Sequence, residues 1–324
     1  MIRGVRIIKK SLSISYFQCT LSRNKLSSFA VSLPMQRILY ILVYPILWLF
    51  SKLPMRILYI KSTALFILVY YIVGYRKKVV KENLALAFPE KTQEERNKIT
   101  KAFFQHLCDL IFETIKAFTI SEKEIRKRFL VTNVEILDSY YNSDKSILLM
   151  AGHYGNWEWS GILNKLMKHQ AHAVYKPLDN KQFDDLVKKT REHFGGIIVS
   201  NRKIVPVLFR KWKKGIKTLT YILSDQSPKL NAFKYRDTFM GIDVPMFTGT
   251  EELAKKLDFA VLYLKVEKVK RGYYTATFIP IADHPKTYED FQITRMFFDM
   301  LETQIRENPA HYLWSHKRWK HRKR

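Results

Sequence analysis

A chain of 324 residues with no Gly/Ser-rich or Pro-rich linker can bury one substantial core, which excludes a string of small modules. Lys and Arg number 56 against 29 Asp and Glu, a net charge of +27, far beyond what solubility requires. So large an excess implies an anionic partner: nucleic acid, an anionic membrane surface, or an acidic protein or phosphorylated substrate. The two cysteines, Cys19 and Cys108, stand in no metal-ligand spacing, which excludes a disulfide framework and a cysteine-based zinc site and fits a reduced, cytoplasm-facing protein.

Residues 1–34 contain Arg3, Arg6, Lys9, Lys10, Arg23 and Lys25, no acidic residue and scattered serines. They lack the compact apolar core and cleavage pattern of a secretory signal, and are read as a basic, disordered extension. Residues 35–75 hold two apolar runs, Ile38 to Phe50, interrupted by Pro45, and Ile57 to Tyr75, whose single charge is Lys61. The second approaches the roughly 20 residues a bilayer crossing demands. Basic residues flank it on both sides, Lys52 and Arg56 before and Arg76, Lys77, Lys78 and Lys81 after, so charge gives no orientation. A monotopic helical hairpin entering one leaflet explains that symmetry, and a buried core hairpin is the alternative.

Residues 76–324 are read as one catalytic domain. A helical pattern ends at Pro89, and Thr92-Gln93-Glu94-Glu95 reads as a capping box opening a helix through Phe103, Leu107, Leu110 and Thr114. His106 and Asp109 fall within that helix as a structural pair, and the mixed charges from Glu122 to Arg128 read as a solvated face.

The stretch Ser146 to Gly161 carries the chemistry. Ile147 to Ala151 is an apolar run of strand length that ends in Gly152-His153-Tyr154-Gly155-Asn156-Trp157-Glu158, and a helix-like pattern through Leu163, Leu166 and Met167 follows. His153 and Glu158 are five apart, which puts them on opposite faces of a strand and about 140° apart in a helix, so they meet only across a turn. Gly152 and Gly155 permit such a turn, and Asn156 is a candidate N-cap for the helix bearing Glu158. A histidine held by a carboxylate at a strand end is equipment for general-base catalysis: Glu158 fixes the tautomer, and the other ring nitrogen takes a proton from a hydroxyl. The chain contains no G-x-S-x-G elbow, so direct transfer to a hydroxyl fits better than a serine acyl-enzyme. On spacing alone a structural histidine is the competing reading.

The block Gly152 to Glu158 resembles the H-x4-D/E motif of glycerolipid-type acyltransferases, in the G-H-x-G-N-W-E form of the bacterial lipid A late acyltransferases. Further blocks similar to that family follow in order: Tyr175-Lys176-Pro177-Leu178-Asp179-Asn180 after a strand over Ala171 to Tyr175, Asp225-Gln226 after a strand over Lys217 to Ser224, Phe239-Met240-Gly241 through Pro245 to Gly249-Thr250 before a helix, and Pro309 to Lys320 at the end. The resemblance implies transfer of a fatty acyl group from acyl carrier protein, or from coenzyme A, to a hydroxyl of a lipid A precursor, with His153 and Glu158 as the catalytic pair. Lys176 becomes a candidate for the thioester oxyanion or a substrate phosphate, although many relatives carry arginine there. Asn156, Asp225 and the backbone donors near Thr250 become candidates for shaping the site or binding substrate, against turn-forming and capping as the plainer roles. His311 and His316 are read as completing the fold and contacting the membrane rather than as ligands.

The alternation of strands and helices predicts an α/β fold, a central mixed β-sheet flanked by helices in the glycerolipid acyltransferase manner, with the N-terminal membrane-associated helical hairpin attached. The reading requires no metal or prosthetic group, since the acyl thioester is a cosubstrate. Its partners are acyl carrier protein, the lipid A precursor and an anionic membrane surface, and its place is the inner membrane with the active site facing the cytoplasm. Two alternatives stand beside it: transfer to another glycolipid or an aminolipid, and a membrane-tethered nucleic-acid binder suggested by charge. No nucleic-acid recognition motif supports the latter, and the basic residues are spread along the chain.

Overall fold

The computed structural model describes residues 33–231 and 233–323, so nearly all of the basic extension lies outside the described residues. Helix α1 (Leu33–Lys52) runs through Pro45 and ends before Pro54; α2 (Met55–Ile67) continues as a π-helical segment over Leu68–Val73, closed by Gly74 at a left-handed φ of 64°. The stretch Met55–Val73 is long and apolar enough to cross a membrane, and 17% of its apolar window is buried in protein. Exposed side chains on these helices include Ile41, Leu49, Ile60, Leu68, Ile72 and Val73. After α3 (Lys77–Ala87) comes α4 (Gln93–Lys116), opened by the capping box expected at Thr92 and Glu95. Both N-terminal helices lean on α4: the Phe50 and Phe112 rings are 6.2 Å apart, and Ser62 Oγ donates to Asp109 at 2.6 Å. Asp109 also takes Arg271, while His106 lies 3.2 Å from Lys268 and packs on His311, so those two residues serve the fold through other partners than each other.

The charged run from Glu122 is α5 (Glu122–Arg128), laced by Glu122–Arg126 and Glu124–Arg128 pairs one turn apart. Then follow β1 (Phe129–Thr132), α6 (Glu135–Asn142) and β2 (Ile147–Ala151), whose five residues are all buried, as a strand covered on both faces requires. A 3₁₀ helix spans Trp157–Lys165, before β3 (Gln170–Tyr175), α7 (Lys181–Arg191), β4 (Ile197–Ser200), α8 (Ile204–Lys213) and β5 (Thr218–Leu223). A small hairpin of β6 (Arg236–Phe239) and β7 (Ile242–Pro245) turns at Met240 and Gly241, both at positive φ. The chain closes with α9 (Gly249–Leu257), β8 (Ala260–Lys270), β9 (Tyr273–Ala282) and α10 (Gln292–Glu307).

Seven strands form one mixed sheet in the order β1-β9-β8-β2-β5-β3-β4. Strands β8, β2, β5, β3 and β4 are parallel; β9 is antiparallel to β8 and carries β1 parallel to itself. From β2 the chain goes out on one side to β3 and β4, comes back as β5, and then crosses to β8 on the other side of β2. The order therefore reverses around β2, and its carboxyl end is the crevice where open α/β sheets place their ligands. The mixed sheet with helices packed around it agrees with the α/β expectation.

Candidate active site

The β2 strand runs out into Gly152-His153-Tyr154-Gly155, and the shape of that turn is forced by close packing. A Cβ at Gly152 would stand 2.5 Å from Leu301 Cδ1, and Gly155 has φ 61° with the Val266 carbonyl 3.2 Å from where its Cβ would be. The C-terminal segment grips the turn from outside: Leu313 N–H donates to the His153 carbonyl and Gly155 N–H to the His311 carbonyl, both at 3.0 Å. Fold completion, read for this terminal block from sequence, is thus clamping of the histidine-bearing turn.

Asp225 follows the carboxyl end of β5, the strand beside β2, and is 2% exposed. Its Oδ1 lies 2.6 Å from His153 Nδ1, and its Oδ2 accepts the His153 backbone N–H at 3.1 Å. Burial would push the Asp225 carboxyl up, but the His153 charge and both hydrogen bonds outweigh it and hold the group below the ordinary carboxylate range. An acceptor at Nδ1 places the proton there and leaves Nε2 with its lone pair, the tautomer a general base needs. Gln226 Nε2 lies 3.2 Å from that Nε2, and the Trp157 ring stands across the imidazole at 5.2 Å. His316 is held neutral beside the pair, pushed down to about 3 by burial and then by the His153 charge.

Glu158 does not fill the orienting role expected of it. It enters in the first turn of the 3₁₀ helix, where both carboxylate oxygens are taken by Arg191, Nη2 to Oε1 at 2.7 Å and Nε to Oε2 at 3.1 Å, with Trp157 Nε1 donating to Oε1 at 3.2 Å. Burial raises the Glu158 carboxyl and the Arg191 charge and hydrogen bonds lower it, for a net depression to which His153 also contributes through space. The physical reason is reach: the turn carries Glu158 over β3 and β4 toward the end of α7, whereas Asp225 extends the strand hydrogen-bonded to β2. Beside the Glu158–Arg191 pair opens a narrow cleft between the 3₁₀ helix and strands β3, β4 and β5.

Asn156 is the N-cap expected, accepting Trp159 N–H at 3.1 Å, but its amide donates to Glu113 Oε2 at 2.8 Å and it is fully buried. Both ends of the side chain thus have partners within the protein. Lys176 stands half-buried past the end of β3, its pKa lowered chiefly by burial, with Asp179, Lys229 and Arg202 as charged neighbours. Thr250 is buried in the first turn of α9, its hydroxyl 3.1 Å from that of Ser224. Glu251 and Glu252 share that turn, so its electrostatics do not favour an anion. Among the described residues no three His, Cys, Asp or Glu side chains converge as a metal-binding group.

Two residues escaped the sequence reading. Arg191 ends a helix whose start was visible in Asn180, the N-cap accepting from Gln182 and Phe183. Glu113 continues the apolar stripe of α4 through Phe103, His106 and Leu110, and a carboxylate at such a position signals a buried partner set. That set is Tyr59, Asn156 and Tyr274, each donating at 2.8 Å, while the Glu113 carbonyl accepts from Trp159 Nε1 at 3.0 Å.

Residues 27–321 match the family described as bacterial lipid A biosynthesis acyltransferase, and the chain belongs to that family. It is similar to the lipid A biosynthesis lauroyltransferase of Escherichia coli (strain K12), 27% identical over 86% of this chain and 90% of that one. The palmitoleoyltransferase of the same organism is 24% identical over 86% of this chain and 89% of its own length. A lipid A biosynthesis acyltransferase of Haemophilus influenzae (strain ATCC 51907 / DSM 11121 / KW20 / Rd) is 24% identical over 97% of this chain and 96% of the relative.

Proposed function

Proceeding from membership of this acyltransferase family, we propose that the protein moves a fatty acyl group from an acyl thioester to a hydroxyl of a lipid A precursor. The observation that carries this reading is the imidazole at the end of β2, its Nδ1 on Asp225 and its ring against Trp157, which lines an apolar cleft. In the reaction Nε2 takes the hydroxyl proton as the oxygen attacks the thioester carbonyl. The tetrahedral intermediate then collapses with cleavage of the C–S bond, and the departing thiolate recovers the proton from Nε2. Asp225 stabilises the imidazolium that forms in between, and the Glu158–Arg191 pair borders the site within electrostatic reach of His153. Lys176 supplies positive charge at the same sheet edge, for the oxyanion or for a phosphate of donor or acceptor. The donor is acyl carrier protein or coenzyme A in thioester linkage, a cosubstrate, and the net charge of +27 suits an acidic carrier, lipid phosphates and an anionic leaflet together.

The unburied apolar sides of α1 and α2, with Lys52, Arg56, Arg76 and Lys77 at their ends, support attachment to the cytoplasmic face of the inner membrane. Purified protein in detergent is expected to transfer label from acyl-thioester to lipid A precursor, and His153→Ala to lower kcat by about 10⁴-fold with an unaltered circular dichroism spectrum. Transfer by His153→Ala at the wild-type rate would remove the proposal.

A further inference from the structure

Within the cleft beside Glu158, one face of the sheet is hollowed by side-chain size alone. On β5 the residues on this face are Leu219, Tyr221 and Leu223; on β3, paired with them, Ala171 stands beside Leu219 and Ala173 beside Tyr221. Ile198 of β4 flanks Ala173 on the far side. Two alanines between rows of large side chains leave a trough along β3, and the 3₁₀ helix lies over it as a roof. The trough runs from Leu223 and Trp157, the latter packed on His153, back to Leu219 and Met167. Four residues of strand make that about 13 Å. Its ionised groups, Glu158 and Arg191, neutralise each other, the Asn164 amide nitrogen donates to the Phe194 carbonyl, and Ser160 Oγ lies 3.5 Å from the Tyr221 hydroxyl.

We infer that this trough holds the acyl chain of the donor, and that Ala171, Ala173 and Met167 set which chain lengths are used. The inference rests on the acyl-transfer reading and adds the residues that determine specificity. The occupant follows from connectivity: the carbon under attack must lie next to His153, and the donor's chain begins at that carbon, so it reaches the trough past Trp157, which lines it and packs on His153. A slot of alanine floor and largely apolar walls gains by burying methylenes. Its far end is closed by a methionine, an unbranched side chain able to adjust to what reaches it.

The test uses full-length protein in detergent with a graded series of saturated acyl thioesters and one acceptor. Ala171→Leu fills the far half of the trough and is expected to lower kcat/KM for the longest chains relative to the shortest by about four- to fifteenfold, the loss of one or two buried methylenes. Ala173→Leu, nearer the mouth, moves the cut-off to shorter chains still. Met167→Ala lengthens the trough and shifts preference towards longer chains, a gain that misfolding cannot imitate. Wild-type turnover with all three profiles unchanged overturns the trough assignment and leaves the acyltransferase reading standing. A shift in preference among acceptors of different chain length, with donor preference fixed, also overturns it by naming the wrong occupant. Wild-type protein that consumes no thioester overturns the acyltransferase reading itself.

Discussion

Asp225 and Glu113 are both buried carboxyls, and they hold the same turn from opposite sides. Asp225 reaches it from the sheet, bonded to the ring and backbone of His153; Glu113 reaches it from α4, bonded to Asn156 and, through its carbonyl, to Trp159. Their pKa shifts run in opposite directions. Asp225 faces an imidazole and is held below the ordinary carboxylate range, whereas burial pushes the Glu113 carboxyl up, and the lowering from Lys268, Tyr274 and Tyr59 does not cancel it. In the proposed reaction Asp225 answers the charge that appears on His153. Glu113 gathers three donors around one point, tying the turn to Tyr59 of α2 and Tyr274 of β9, and so fixes geometry.

The sharpest way to break this contrast is Asp225→Asn. The amide keeps the size of the side chain but removes the charge and offers an N–H where Nδ1–H needs an acceptor, so kcat is expected to fall about 10³–10⁴-fold with the circular dichroism spectrum of the fold retained. Activity within tenfold of wild type would make Asp225 merely structural.

A second prediction concerns the carboxylate that sequence favoured. Arg191→Met strands Glu158 in a nearly buried position, and losing one partner of such a pair costs about 3–5 kcal/mol. Chemical denaturation is expected to show that loss, and the double variant Arg191→Met/Glu158→Gln to recover a large part of it. No recovery would mean that Arg191 stabilises the fold through something other than Glu158.

The smallest effect sharpens the comparison through pH. A raised pKa in the folded state means that native protein keeps a proton on Glu113 where the unfolded chain has released it. Its contribution to stability is therefore full below the unfolded carboxylate value and lost as pH rises through the raised one. Asp225 has the opposite sign: its contribution is present above the unfolded value and lost as pH falls through its lowered one. In thermal melts across the acid range, wild type should lose ground to Glu113→Gln as pH rises and gain ground on Asp225→Asn. Equal slopes in wild type and Glu113→Gln would show that Glu113 titrates alike in both states.

Much of this architecture was legible because it is local. The five apolar residues of β2, the capping box at Thr92, the N-cap at Asn156 and the strand before Asp225 are set by neighbours in sequence, and the structure has each where the pattern put it. The identity of the carboxylate on His153 was not local. Glu158 lies five residues away and Asp225 seventy-two, and spacing favours the nearer one, while strand order, which is decided by long-range pairing, delivers the farther one. Arg191 and Glu113 were hidden for the same reason, as each is defined by partners on other elements. The N-terminal helices show the converse: their apolar runs were plain, but leaning on α4 rather than on each other is a property of the assembled core.

The central claim, that Asp225 sets His153 as a base with its proton on Nδ1, is tested most directly by nitrogen-15 spectra of histidine-labelled protein in detergent, comparing wild type with Asp225→Asn. The account predicts a His153 resonance pair with Nδ1 protonated and Nε2 bare, the Nδ1 proton in a strong hydrogen bond that Asp225→Asn abolishes. A His153 protonated on Nε2 in the resting enzyme, unmoved by Asp225→Asn, would contradict it.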